Sequence, residues 1–126
     1  MHIASPQVFA FRQDESPEKL VVEPSLKGTE SVLKACRDFK LKKCIFTSSL
    51  NNLFSGNKLQ SMYTDEDWGN ETSENMAIQD KSKILTEKKI WEFHKDLSGN
   101  SDLELMTVLP GMMIGKPNNS RTHSVQ

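Results

Sequence analysis

Cysteine is scarce in this sequence: Cys36 and Cys44 are the only two, and they form no CxxC pair. Both therefore read as small buried hydrophobes rather than redox groups. The three histidines, His2, His94 and His123, lie far apart and match no HExxH or other ligand spacing, so no metal site is expected. No apolar run approaches the length of a membrane span. The start, "MHIASPQVFAF", lacks the basic residues and apolar core of a signal peptide, which points to the cytosol. On that basis the acceptor patterns at Asn70 and Asn118 are chance matches. Charge of one sign is also lacking. A net charge of −1 excludes a bulk electrostatic hold on nucleic acid or anionic lipid. No internal repeat is present. Tyrosine occurs once, as Tyr63.

The 126 residues suit at most one domain, and 36% hydrophobic with 26% charged residues suits a slightly polar globular chain. "MHIA" is a short apolar start. Ser16 reads as an N-cap and Pro17 as the first residue of a helix running to Phe39. Val22, Leu26, Leu33 and Cys36 fall near one stripe of it. Pro24 and Gly28 weaken its first half, predicting a kink or a close approach through small residues. "KCIFTSS" reads as a strand buried on both faces. A long polar loop follows from Leu50 to about Asn75. A second helix is predicted from Met76 to Leu97, with Ile84, Trp91 and Leu97 on one side. "LELMTVLP" is another strand, stopped by Pro110, and 118–126 reads as a loose polar tail.

The order strand, helix, strand, helix, strand predicts an α/β protein with a parallel sheet. Sites in such sheets form at the carboxyl ends of the strands. "ASP" at 4–6, "TSS" at 47–49 and "PGMMIG" at 110–115 fall there. Taken alone, Ser48 and Ser49 read as strand terminators. Lys83 reads as one surface lysine among Lys81, Lys88 and Lys89. Trp68 and Trp91 read as packing residues, and the "EKK" after Thr86 as a solvated helix face.

"HIASP", "GTESVLKAC", "KKCIFTSS", "DEDW", "KSKILTEKKIWEF" and "LMTVLPGMMIG" together, in this order and spacing, resemble one family. This is the extended short-chain dehydrogenase/reductases, in particular the dihydroflavonol reductase, cinnamoyl-CoA reductase and 3β-hydroxysteroid dehydrogenase-like group. The resemblance covers residues 1 to about 117. It implies part of a Rossmann-like domain that binds NADP or NAD, without its N-terminal strands and most of its substrate domain. By the same resemblance, Ile3, Ala4 and Ser5 match the strand-end loop beside the cofactor. Thr47 and Ser48 match the strand end beneath the nicotinamide, and Ser49 the catalytic serine. Lys83 matches the lysine that holds the ribose hydroxyls. Pro110 to Met113 match a turn against the nicotinamide, which the family ends with Gly-Pro where this chain has "GKP".

Two departures stand out. The family's glycine-rich phosphate turn does not occur in this sequence. The tyrosine of its YxxxK pair is Gln79 here, four residues before Lys83. A carboxamide can offer a hydrogen bond but has no proton to transfer near neutral pH. The expectation is thus a chain related to oxidoreductases of carbonyl and alcohol groups, weak in cofactor binding and inactive alone. The alternative is a non-catalytic protein that docks on a full-length relative or another partner.

Overall fold

The computed structural model describes residues 1–115 apart from 3, 7, 9, 58–59, 98–101 and 113. Helix α1 (Glu23–Asp38) and helix α2 (Ile78–Leu97) cover one face of two parallel strands, β1 (Lys43–Thr47) and β2 (Glu104–Val108). Lys43 pairs with Glu104 and Thr47 with Val108, so α2 is the crossover of a β-α-β unit. Of the expected first strand, the described residues show one rung, His2 against Phe46. Its bonds are His2 N–H to the Ile45 carbonyl at 2.8 Å and Thr47 N–H to the His2 carbonyl at 2.9 Å.

The predicted irregularity around Pro24 takes a specific form. Glu18–Val22 is a π-turn that runs into α1, and the Glu23 N–H bonds back to the Glu18 carbonyl, five residues away. Pro24 explains it. Without an N–H it leaves the Leu20 carbonyl unclaimed, and the preceding turn relaxes into the wider ladder. Ser16 does not cap this helix. Pro17 occupies the cap position with no side-chain bond, and the Ser16 backbone carbonyl accepts from Leu20 N–H at 3.1 Å. Nor is Gly28 a close contact: a Cβ there would meet nothing within 4 Å. Ser25 and Thr29 turn inward instead.

Leu33 and Cys36 of α1, Cys44 and Phe46 of β1, Ile90 of α2 and Leu103 form the core. Alternation along β1 sends Cys44 and Phe46 under the helices and leaves Ile45 and Thr47 half-buried. The strand is therefore not buried on both faces as its apolar run suggested. Met106 and Val108 of β2 are 48% and 43% exposed, so this part of the opposite sheet face stands open. Both thiols are free and buried, as expected. Burial and the adjoining Cys36 thiol push Cys44 up to about 11, keeping it protonated.

The segment after β1 is less loose than its composition suggests. Leu50–Leu53 forms a 3₁₀ turn. Gly69 N–H reaches the Asn52 carbonyl at 2.6 Å, Asn70 N–H the Ser55 carbonyl at 2.8 Å, and the Asn57 amide the Trp68 carbonyl at 2.8 Å. Gly69 has to be glycine for this, because a Cβ there would lie 2.6 Å from the Ser55 carbonyl oxygen. Residues 118–126 lie outside the described residues.

Candidate functional site

Parallel pairing continues past the strands and gathers their carboxyl ends. Ser48 N–H donates to the Val108 carbonyl at 2.8 Å, and Leu50 N–H to the Pro110 carbonyl at 3.0 Å. This ladder holds Ser49 beside Pro110. The Ser49 hydroxyl accepts from Asn51 N–H at 3.2 Å and so caps the 3₁₀ turn. Helix α2 is tied to the same turn, since Asp80 accepts from the Asn51 amide at 3.0 Å and from the Ser55 hydroxyl at 2.9 Å.

Ala4, Ser5, Thr47, Ser48 and Lys83 line one cleft with His2, Ser25, Thr29 and Glu87. Lys83 Nζ lies 3.3 Å from the Thr47 carbonyl oxygen, at the tip of β1. Burial draws its ammonium below the ordinary lysine value, and the Glu87 carboxylate opposes that. Gln79 stands one turn earlier on the same helix, and its side-chain amide donates to the Val8 carbonyl. No described bond joins Ser49 to Lys83. Ile3 and Met113 lie outside the described residues. Tyr63 stays on the loop against Phe54, with ring centroids 5.6 Å apart.

One residue overturns its sequence reading. Glu87 is no part of a solvated face: it is 4% exposed. It accepts from the Ser48 hydroxyl and, at 2.6 Å, from the Asn52 amide, which also donates to Ser48 Oγ at 2.7 Å. Its position four residues after Lys83 places it on the same side of α2, a spacing that could have marked it. Lys88 next to it faces outward, bonded to Glu71 and lying 5.6 Å from the Trp68 ring centroid. Trp68 and Trp91 line a cavity of about 310 Å³ at the edge of β2, together with Asn52, Asp65, Asp67 and Glu87.

Burial, then Lys83 and the chain's amino group, hold His2 below the usual imidazole value of 6.5. The folded chain then binds that proton less readily than the unfolded one. The corresponding stability is present above about 6.5 and is lost as pH falls below it. Unfolding midpoints should drop between about pH 7 and pH 5.5, and His2→Asn should flatten the drop. An unchanged slope would assign it to other groups. Glu18 and Glu71 are held below 4.5 by Lys81 and Lys88, so their losses belong to a more acid range.

A βαβ unit with serines at a strand end and a half-buried lysine on the crossover helix belongs to the α/β class of Rossmann-type reductase folds. The Candida albicans Gre2 in complex with NADPH superposes with a TM-score of 0.71 and 26% identity, over 94% of this chain and 37% of that one. Yeast methylglyoxal/isovaleraldehyde reductase complexed with NADPH shares the fold, with a TM-score of 0.67, 23% identity and coverage of 87% and 34%. The chain belongs to the 3-beta hydroxysteroid dehydrogenase/isomerase family, which it matches over residues 1–123. Anthocyanidin reductase of Arabidopsis thaliana is 34% identical over 90% of this chain and 34% of its own length. A bifunctional dihydroflavonol 4-reductase/flavanone 4-reductase of Pyrus communis is 28% identical, with 90% and 33% covered. The chain thus spans about a third of the length of the curated relatives it matches.

The cleft shared by Ala4, Ser5, Thr47, Ser48 and Lys83 is about 30 Å³, and a wider space of about 240 Å³ beside it shares His2, Ala4, Ser5 and Ser25. The narrower of the two alone does not admit a nicotinamide ring. Lys83 is turned onto a backbone carbonyl rather than outward.

Proposed function

We propose that this chain carries the strand-end serine and helix lysine of an NAD(P)-dependent oxidoreductase of carbonyl or secondary alcohol groups, but does not catalyse by itself. Family membership supports the reaction class. One observation carries the deficiency. Gln79 occupies the turn before Lys83, and its side-chain N–H is committed to the Val8 carbonyl. The residue at the proton donor's position is thus a carboxamide, with one of its two N–H groups held by the backbone. In this reading Ser49 would hydrogen-bond a substrate carbonyl, with Thr47, Ser48, Ala4, Ser5, Ile3, Pro110 and Met113 along the cofactor's path. Lys83 would face the ribose hydroxyls. No group on α2 would complete the proton transfer.

Calorimetry tests the binding half of this proposal. Titrating NADPH or NADH into the purified chain should give no heat of binding. Binding at micromolar concentration would overturn it, as would cofactor oxidation with a panel of carbonyl substrates that Lys83→Ala abolishes.

A second reading is favoured by the exposed Met106 and Val108 on β2, which among the described residues pairs only with β1. In it the chain docks there on a full-length relative. Mixing with such a reductase should give a defined complex by gel filtration, and two separate peaks would end that idea.

A further inference from the structure

We propose that Glu87 is the positioning residue for Lys83: one buried carboxylate fixes the strand end on which the ammonium rests and supplies the negative charge that it faces. The inference rests on the reading of Lys83 as the working cation of this site. The geometry starts from α2, where Glu87 follows Lys83 by four residues on the inward side and is 4% exposed. Its Oε2 receives the Ser48 hydroxyl and the Asn52 amide, and the Asn52 amide also binds Ser48 Oγ, closing a triangle. Ser48 is bonded in sequence to Thr47, whose carbonyl accepts the Lys83 ammonium at 3.3 Å. Releasing Ser48 from Glu87 therefore frees the peptide unit that places the Lys83 acceptor.

The charge needs its own explanation. A glutamine could accept the same two hydrogen bonds, whereas a buried carboxylate carries a desolvation cost of several kcal/mol unless a cation answers it. Glu87 is the only carboxylate lining the cleft among the described residues. The other titratable group there is His2, which repels Lys83 when protonated. The chain's amino group acts on His2 in the same sense. On α2 itself, Lys81 is drawn away to Glu18 at 3.2 Å. Burial lowers the Lys83 value and Glu87 raises it, in keeping with this arrangement.

The test reads the Lys83 ammonium directly, without cofactor. Lysine side chains of the full chain are followed by nuclear magnetic resonance through a pH titration, with Lys83→Arg used for assignment. Glu87→Gln keeps the hydrogen-bond acceptor and removes the charge. It should shift the Lys83 titration downward by about one pH unit or more. Ser48→Ala keeps the charge but frees the peptide unit that carries the Thr47 carbonyl, and should move that titration by less than Glu87→Gln does. A Lys83 titration that Glu87→Gln leaves unmoved overturns the proposal. Should Glu87→Gln not fold, the unsubstituted chain still decides. The Glu87 carboxyl carbon resonance should show a step at the pH where Lys83 titrates, lost in Lys83→Arg. Absence of that step overturns the proposal as well. Neither readout depends on NADPH binding, so failure here is distinct from failure of the proposed function.

Discussion

Grafting α2 of this chain into the Arabidopsis anthocyanidin reductase, in place of the corresponding helix, should lower kcat about 10²–10⁴-fold, and Gln79→Tyr within the graft should restore most of it. The reasoning is chemical. Hydride addition to a carbonyl leaves negative charge on oxygen, and a phenol one turn from a lysine ammonium can discharge it by giving up a proton. A carboxamide at that position offers only a hydrogen bond. In this chain one of its two N–H groups is already committed to the Val8 carbonyl. The graft isolates the residue, because strands, cofactor site and substrate site all come from the host. If the grafted enzyme is slow and Gln79→Tyr leaves it slow, the deficiency lies elsewhere on α2, with Glu87 and its partners the first place to look. If the graft is fully active with Gln79, the proton reaches the oxygen without this position and the proposed deficiency is wrong.

Glu87→Ala should cost about 2–5 kcal/mol of stability, read as a shift in the denaturant midpoint at unchanged slope. The variant strands two buried donors, the Ser48 hydroxyl and the Asn52 amide, each costing about 1–3 kcal/mol when left without an acceptor. Asn52 is 1% exposed and its side-chain oxygen has no partner among the described residues, so it has little freedom to find another arrangement. Loss of packed methylene volume adds to this. Glu87→Gln should recover a large part of the loss, because its carbonyl oxygen accepts as the carboxylate does. A Glu87→Ala midpoint within about 0.5 kcal/mol of the parent would mean that the triangle does not hold the strand end.

How much of this was legible in the sequence can be argued from particular residues. The element order, both long helices, both paired strands and the break at Pro24 follow from apolar periodicity and from proline's missing N–H. The strand-end serines and Lys83 could be proposed as site residues only because six short motifs stand in register; singly, each reads as ordinary surface or strand termination. Local patterns could not say how far "MHIA" would pair, and among the described residues one rung forms where a strand was expected. They also could not say that only one face of β1 would be packed. Burial of a strand depends on what the rest of the chain lays against it, and a five-residue apolar run is the same string in either case.

Sequence alone determined the class of this protein and its family and supplied the proposed exchange at Gln79, because those rest on residue type and spacing along one chain. Tertiary structure decided the surroundings of Glu87. In the string it is one of several charges after Thr86, set apart from Lys88 and Lys89 only by its spacing from Lys83. Only when α2 crosses behind the end of β1 do Ser48 and Asn52 reach it, 39 and 35 residues away in sequence. A buried charge is stable only with partners, and these partners come from another element, which no local pattern of residues can announce.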